Sequence, residues 1–376
     1  MQDNSNGEIK MQINEILKIM VDKKASDLHL KVASLPVFRI DGALIKQEEL
    51  QQTDLNDIES VFQQVTTPEQ RINFVREWEL DFAYSISGLA RFRVNIMQQR
   101  GTKGFVFRLV PLKIPSIDEL RLPQILKELV LKPRGLILVT GPTGSGKSTT
   151  LAAMVDYLNK NANRSVITIE DPIEFIHHDE KCFIVQRDLG DDTKSFVTAL
   201  THALRHDPNV IVVGEMRDLE TISTAIMAAE TGHLVLSTLH TTDAAQTVDR
   251  IIDVFPQGQQ QQIRLQLSQV IEAVLSQALL PRIGDKGRVA AFEIMIANTA
   301  VRNIIREERT FELQNVMQLC SSEGMRTFDE ALANLVKERL VSVENALMKS
   351  SNQQQLKGKL GFEFNAISRV KCGQIL

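Results

Sequence analysis

The segment Gly-Pro-Thr-Gly-Ser-Gly-Lys-Ser at residues 141–148 constrains this chain more than any other feature. It follows an apolar run, 135–140, that predicts a buried strand, and it precedes a helical pattern at 149–158. Glycines let the backbone curl so that successive amide groups point at one phosphate, and the N-terminus of the helix adds a positive dipole. The pattern therefore predicts a phosphate-binding loop at the edge of an α/β sheet.

Individual roles follow for the residues of this loop. Lys147 is predicted to reach the β- and γ-phosphates of ATP, and the Ser148 hydroxyl is predicted to be a ligand of Mg²⁺. The predicted nucleotide-binding residues are Gly141, Pro142, Thr143, Gly144, Ser145, Gly146, Lys147, Ser148 and Thr149.

Carboxylates follow two further apolar strands. The run 210–213 leads into Gly214-Glu215, the Walker B arrangement that holds Mg²⁺ and its water, with glycine where aspartate is usual; a helix-capping acid is the alternative for Glu215. The run 165–170 leads to Glu174, which is a candidate for polarising the attacking water. A solvated acidic loop is the alternative for Glu174, and the pattern leaves open which glutamate is the general base.

Candidate cationic groups occur in two places. His240 follows the apolar run 234–239, where a histidine can sense a γ-phosphate through a hydrogen bond, and a structural histidine is the alternative. In the N-terminal part, the alternation over 90–97 puts Arg91 and Arg93 on one strand face, and Arg108 lies on the next predicted strand. These arginines are candidates for arginine fingers directed at the nucleotide of a neighbouring subunit, and a solvated strand face is the alternative.

The order of patterns predicts two domains. The N-terminal part mixes helices and strands, which indicates a small α+β domain; the later strands alternate with helices, which indicates a mainly parallel, buried sheet. Pro111, Pro115 and Pro123 mark the stretch between them. The predicted boundaries are a flexible leader at 1–8, an N-terminal domain at 9–110, a linker at 111–123, an ATPase domain at 124–360 and a disordered tail at 361–376.

Charge and cysteine content narrow the class of protein. The net charge is −4, with 43 basic and 47 acidic residues, which opposes a nucleic-acid partner. The three cysteines, Cys182, Cys320 and Cys372, are far apart, so neither a disulfide framework nor a zinc ribbon is expected. No segment resembles a signal peptide or a transmembrane span, and we expect a cytoplasmic protein whose contact with a membrane is peripheral.

Four boxes in order resemble the secretion ATPase superfamily, and within it the PilT-type retraction motors of type IV pili. They are GPTGSGKST at 141–149, ITIEDPIEF at 167–175, VIVVGEMRD at 210–218 and TGHLVLSTLHT at 231–241. In addition, AVRNIIRE at 300–307 is similar to the AIRNLIRE segment of PilT-type proteins, and it puts Arg302 and Arg306 one helical turn apart. The tetracysteine zinc site usual in extension and type II secretion ATPases cannot be built from three cysteines.

The resemblance implies a fold, partners and further site residues. It implies a PAS-like N-terminal domain, a RecA-like P-loop ATPase domain and a homohexameric ring that drives pilin disassembly for pilus retraction and twitching motility. It implies an inner-membrane pilus platform protein as partner, at the inner face of the bacterial inner membrane. It adds His233 to His240 as a γ-phosphate sensor. The alternatives are an accessory PilU-like retraction ATPase, an extension or type II secretion ATPase and, more distantly, a nucleic-acid motor.

Overall fold

In the computed structural model, the structure describes residues 11–40, 42–110, 113–284 and 287–361. These residues divide into two compact units. The first comprises the described residues up to Ile114 together with Glu170–His177 and Arg187–Ser195, and the second comprises the remainder. The predicted leader, residues 362–376 of the predicted tail and residues 111–112 of the predicted linker lie outside the described residues.

The first unit contains a six-stranded sheet with three helices, and the predicted α+β character is confirmed. The strand order is β3-β2-β1-β6-β5-β4, and the paired strands are antiparallel. The elements are α1 (Ile13–Asp22), β1 (Asp27–Lys31), β2 (Val37–Ile40), β3 (Ala43–Lys46), α2 (Leu55–Val65), α3 (Pro68–Glu77), β4 (Glu79–Ile86), β5 (Ala90–Gln99) and β6 (Thr102–Leu109).

Side-chain periodicity explains why these segments form these elements. The apolar residues of α1 recur at helical spacing and are buried. In β5 apolar residues alternate with polar ones, so that Phe92, Val94 and Ile96 are fully buried while Arg91 and Arg93 lie on the other face of the strand and are partly exposed. Helix α2 begins at a capping box formed by Asp54 and Asp57.

The second unit is built on a seven-stranded sheet in the order β13-β12-β7-β11-β10-β8-β9. Strands β12, β7, β11, β10 and β8 pair in parallel, which confirms the prediction of a mainly parallel sheet. The elements before the last strand pair are α4 (Ile125–Val130), β7 (Gly135–Thr140), α5 (Lys147–Asn161), β8 (Ser165–Glu170), β9 (Phe183–Asp188), α6 (Phe196–Ala203), β10 (Val210–Val213), α7 (Leu219–Glu230), β11 (Leu234–Leu239), α8 (Ala244–Asp253) and α9 (Gln257–Val270).

A hairpin and a group of short helices complete this unit. Strands β12 (Ile271–Pro281) and β13 (Arg288–Ile296) are antiparallel to each other. They are followed by α10 (Thr299–Arg306), α11 (Leu313–Leu319), α12 (Phe328–Lys337), α13 (Val343–Lys349) and α14 (Gln353–Lys359), with 3-10 turns at Thr310–Glu312 and Ser321–Glu323. None of the helices in the described part of the chain has both the length and the apolar character needed to span a bilayer.

Burial on both faces of the sheet fixes the position of β7. Leu136 and Leu138 belong to one hydrophobic cluster, while Ile137 and Val139 belong to another. Helices therefore cover the sheet on two sides, as the continuous apolar run predicted. The second cluster also contains Ile117 and Leu122, so part of the stretch that the prolines marked as a linker packs into the second unit, because its apolar residues find a core there.

A buried carboxylate, Glu293, makes the stability of this unit depend on pH. Its side chain on β13 is almost fully buried and accepts a 2.8 Å hydrogen bond from the backbone N–H of Ala244 at the start of α8. Burial raises the pKa of Glu293 to about 7 from a usual 4.5. The folded chain therefore keeps, between about pH 4.5 and 7, a proton that the unfolded chain has lost.

The free energy of unfolding is thus expected to fall by about 3 kcal/mol, from Glu293 alone, as the pH rises through this window. Glutamine is neutral in both the folded and the unfolded state, so Glu293→Gln should lack this pH-dependent loss and should be more stable than wild type at pH 8. Urea unfolding from pH 4.5 to 8 measures both proteins. Parallel stability curves for the two would contradict the assignment.

Candidate functional site

The loop between β7 and α5 contains three glycines with positive φ, Gly141, Gly144 and Gly146, and the first and last of them approach β12. Gly141 has φ +142°, and a Cβ there would lie 2.3 Å from the carbonyl oxygen of Gln277 on β12. Gly146 has φ +90° and is the N-cap of α5. Both conformations lie where side chains are strained. The loop is therefore shaped by close approach to β12 as well as by its own turn.

The start of α5 presents groups that suit a phosphate. The first backbone hydrogen bond of the helix runs from the N–H of Thr150 to the carbonyl oxygen of Gly146. The N–H groups of Lys147, Ser148 and Thr149 therefore have no acceptor within the helix.

The side chains of the loop add a cation. The Lys147 ammonium donates to the carbonyl oxygens of Gly141 (2.8 Å) and Pro142 (3.3 Å). Burial lowers the pKa of Lys147, an effect that the Glu215 carboxylate opposes. The buried Ser145 hydroxyl finds no hydrogen-bond partner among the described residues. Free amides, a cation and an unused hydroxyl together fit a polyphosphate.

Strand order brings the Walker B glutamate and a histidine to the same edge of the sheet. Strands β7, β11 and β10 are neighbours and run parallel, so their carboxyl ends lie side by side. Those ends lead into the phosphate-binding loop, His240 and Glu215, respectively. With strands about 4.8 Å apart, the three groups fall within about 10 Å across the sheet.

Side chains of β11 fix the end of β10. The Ser237 hydroxyl donates to the carbonyl oxygen of Val213 at 2.8 Å, and the Thr238 hydroxyl donates to that of Gly214 at 2.6 Å. Both hydroxyls are buried among apolar residues, where such bonds are costly to break. The backbone that carries Glu215 is therefore held against β11.

The Glu215 carboxylate has a cationic or polar partner on each oxygen. Arg217 Nη2 lies 2.6 Å from Oε1, and His240 Nε2 lies 3.4 Å from Oε2. The Arg217 side chain is 71% exposed, so solvent weakens this ion pair and the arginine can leave at little cost. Glu215 is thereby oriented but remains available to a metal-bound water.

The donor groups suit Mg²⁺ better than a cation that needs many protein ligands. Ser148 offers a hydroxyl in the first turn of α5, and Glu215 offers a carboxylate after β10, two strands away from β7 in the sheet. Mg²⁺ commonly keeps several waters and takes one or two protein ligands together with phosphate oxygens. Among the residues that the structure describes, no group of three or more histidine, cysteine, aspartate or glutamate side chains is arranged to hold a metal ion by itself.

His233 lies at the end of β11 opposite to His240. His233 precedes β11, whose first residue Leu234 pairs with Gly135 at the amino end of β7. Six residues of strand, about 20 Å, separate His233 from the loop that follows β7. Its Nδ1 instead lies 2.9 Å from the carbonyl oxygen of Ala228. The predicted contact of His233 with a γ-phosphate at this loop is therefore not formed within one chain.

The predicted arginines lie in the first unit, each beside a carboxylate of that unit. Arg91 Nη2 is 2.8 Å from Oδ2 of Asp188, whose side chain is only 3% exposed. Breaking this contact would leave a buried carboxylate without its cation, at a cost of about 3–5 kcal/mol. Arg91 is thus held in place, which makes it a poor candidate for reaching a second chain.

Arg93 and Arg108 are held less firmly. They are opposite each other on β5 and β6, with side chains 41% and 63% exposed. Arg93 Nη1 lies 3.9 Å from Oε1 of Glu174, and Arg108 Nε donates to Oδ1 of Asp27 at 2.8 Å. Burial pushes the pKa of Asp27 up, but hydrogen bonds from Ser26 and Arg108 outweigh it and leave that pKa below its usual value. Two adjacent guanidinium groups therefore remain partly open to solvent.

Sequence reasoning missed two residues that contact the site. Arg217 was visible in the run GEMRD, but nothing in the pattern shows that it turns back onto Glu215. Gln277 lies on β12, far along the chain from the loop it contacts, and its only signal is a Ser-Gln pair inside an apolar run.

Comparison with known proteins gives matches that span about three quarters of the chain or more. The sequence pattern of the family described as type II/IV secretion system protein matches residues 2–286. The chain is 47% identical over 340 residues to the type IV pilus retraction ATPase PilT of Pseudomonas aeruginosa, covering 90% of this chain and 98% of that protein. It is 40% identical over 358 residues to the type IV pilus ATPase PilU of the same organism, covering 95% of this chain and 94% of that protein.

A solved structure matches the fold as well. The crystal structure of the pilus retraction motor PilT with bound ADP aligns with a TM-score of 0.87 at 43% identity, covering 93% of this chain and 100% of that one. At this coverage, the aligned part includes residues of both units.

Proposed function

We propose, because this chain belongs to the type II/IV secretion system protein family, that it is an ATPase motor that powers the retraction of type IV pili. The observation that carries the proposal is the meeting of a phosphate-binding loop, Glu215 and His240 at neighbouring strand ends, in a chain so similar to PilT. The chain binds nucleotide, as the ADP-bound PilT structure supports. ATP hydrolysis is the activity of its relatives.

Hydrolysis is assigned to residues of the second unit. The amides at the start of α5 and the Lys147 ammonium would bind the β- and γ-phosphates, and Ser148 and Glu215 would hold Mg²⁺, Glu215 through water. Mg²⁺, when bound, neutralises charge on the phosphate oxygens. Glu215 orients the attacking water and accepts its proton, and His240 donates a hydrogen bond to the γ-phosphate. Glu174 remains the alternative base.

A ring of six copies is the proposed assembly. In such a ring, Arg93 and Arg108 would approach the nucleotide of a neighbouring copy, because their guanidinium groups are adjacent and partly exposed. Changes in bound nucleotide would then move one copy against the next. The ring would act at the inner face of the inner membrane on a pilus platform protein, so that pilin subunits leave the base of the fibre.

The experiment that tests the function is deletion of the gene in the strain that carries it. We expect pili to assemble but not to retract, and twitching motility to be lost. Loss of pili altogether would indicate an extension ATPase instead, and unchanged retraction would exclude the proposal.

A PilU-like accessory role is the second candidate, since the chain is 40% identical to PilU. Complementation separates the two, because only a PilT-like protein should restore retraction to a Pseudomonas aeruginosa strain that lacks PilT. Restoration confined to a strain that lacks PilU would favour the accessory role.

The AVRNIIRE segment forms α10, and its first arginine joins three elements. The Arg302 guanidinium donates to the carbonyl oxygens of Ser268 (2.8 Å) and Gln269 (2.7 Å) in the last turn of α9. It also lies 2.7 Å from Oε1 of Glu272 on β12, and Lys132 holds the other oxygen of Glu272. Arg302 thus caps a helix whose last carbonyls have no helical partner and fixes α10 against it.

Arg302→Ala is therefore expected to abolish retraction, because the guanidinium anchors α10. ATP turnover should stay within about threefold of wild type, because the Arg302 side chain does not touch the phosphate-binding groups. Phosphate release and pilus retraction measure the two effects. Arg309→Ala is the matched control, since Arg309 pairs with Glu307 and Glu312 on the same part of the surface. Normal retraction by Arg302→Ala would contradict the assigned role of α10.

A further inference from the structure

Gln277 is a buried amide side chain directly beneath the phosphate-binding loop. It lies on β12 between Ser276 and Ala278 and is 3% exposed. Its Nε2 donates to the carbonyl oxygen of Ser145, and its Oε1 accepts a 2.8 Å hydrogen bond from the Thr150 hydroxyl. One side chain therefore joins the middle of the loop to the first turn of α5.

Two of the loop's positive-φ glycines, Gly141 and Gly146, also pack on Gln277. A Cβ at Gly141 would lie 2.3 Å from the Gln277 carbonyl oxygen, and a Cβ at Gly146 would lie 3.1 Å from Nε2 of Gln277. The loop thus follows the surface of this residue at both ends. A shift of the Gln277 side chain would change the path of the loop.

Hydrogen bonding rather than volume is what an amide adds here. Methionine would fill a similar space and would bury no polar amide. Glutamine costs free energy when its amide is buried, and that cost is offset only when both the oxygen and the nitrogen find hydrogen-bond partners. Both ends of Gln277 do find partners, and both partners belong to the nucleotide-binding segment or to the helix that it opens.

The bond to Ser145 controls the direction of an amide group. In a trans peptide, the C=O of Ser145 and the N–H of Gly146 belong to one planar unit and point in opposite directions. Since Gln277 draws the Ser145 carbonyl toward β12, the Gly146 N–H must point away from β12, toward the open side of the loop. That side is where a phosphate binds in such loops.

We infer that Gln277 is a positioning residue for nucleotide binding, which sets the peptide between Ser145 and Gly146 so that the Gly146 N–H donates to a phosphate. The inference rests on nucleotide binding at this loop and not on pilus retraction. It applies equally to ADP and ATP, because it concerns the ground-state contact and not the attacking water.

Gln277→Met is the first test, with Ser276→Ala as the matched control. The Ser276 hydroxyl is fully buried on the same strand and accepts a 2.9 Å hydrogen bond from Thr140, but it does not contact the loop that binds phosphate. We expect Gln277→Met to raise the Kd for MgADP and the KM for ATP about tenfold and to leave kcat within about threefold, while Ser276→Ala stays within about twofold. The ADP-induced rise in Tm should shrink accordingly.

Gln277→Glu is the second test, because it keeps the size of the side chain and changes only its ability to donate a hydrogen bond. It also provides a test if Gln277→Met does not fold. Ionised glutamate cannot donate to Ser145, whereas the protonated acid can, and burial favours the protonated form. The affinity of Gln277→Glu for MgADP is therefore expected to improve as the pH falls from 8 to 6, relative to wild type at each pH.

Two results would overturn the inference. One is a Gln277→Met protein with the same Kd, KM and ADP-induced Tm rise as Ser276→Ala, and the other is a Gln277→Glu protein whose loss of affinity does not change with pH. Wild-type protein that failed to bind MgADP would instead remove the ATPase assignment itself, which distinguishes the two failures.

Discussion

Replacement of Lys147 by alanine is expected to reduce ATP turnover at least about a hundredfold and to weaken MgADP binding. The ammonium is the cation of the phosphate-binding loop, and without a nucleotide it is held by the carbonyl oxygens of Gly141 and Pro142. A charged donor aimed at the transferring phosphate contributes on the order of 10²–10³ in rate, because it stabilises charge that develops in the transition state.

Phosphate release and a fluorescent ADP analogue measure the two effects. Lys160→Ala is the matched control, since Lys160 lies on the same helix and pairs with Asp156 near its exposed end. Wild-type turnover by Lys147→Ala would remove the loop from the mechanism.

Replacement of Glu215 by glutamine is expected to separate ATP binding from hydrolysis. The amide keeps the size of the carboxylate and can still accept a hydrogen bond from Arg217, so the strand end should retain its shape. It cannot take a proton from water, so kcat should fall by a factor on the order of 10²–10³ while the Kd for MgATP stays within about threefold.

Glu220→Gln provides the control, because Glu220 is an exposed residue at the start of α7, a few positions further along. Retained turnover in Glu215→Gln would transfer the role of base to Glu174, and the same measurement on Glu174→Gln would then show the large loss.

The buried parallel strands could be predicted from the sequence because local pattern and tertiary environment agree there. The apolar runs 135–140, 165–170, 210–213 and 234–239 match β7, β8, β10 and β11 to the residue. Each strand is buried on two faces, so that it reads as a continuous apolar segment. The groups attached to the carboxyl ends of β7, β10 and β11 then follow from the direction of parallel strands.

The join between α9 and β12 shows where local pattern is insufficient. No glycine or proline occurs from Gln259 to Leu280, yet the helix ends at Val270 and the strand begins at Ile271 without a loop. Only pairing with β7 and β13 makes the second half extended, and such pairing is a tertiary effect. Gln277 was missed for this reason, since its partners depend on the register between β12 and β7.

His233 and Arg91 show the limits of motif reasoning at the site. His233 belongs to the same sequence box as His240, but a box is short along the chain while a strand of six residues spans about 20 Å. Arg91 was correctly placed on the polar face of its strand, and the sequence does not show that Asp188, almost a hundred residues later, holds it.

Retraction of fluorescently labelled pili in a deletion strain tests the central claim most directly, when the strain carries either the wild-type gene or the Glu215→Gln variant at matched protein levels. We predict that the wild-type gene restores retraction and that the variant leaves pili extended, because hydrolysis at Glu215 supplies the work. Retraction at the wild-type rate by Glu215→Gln would contradict the account.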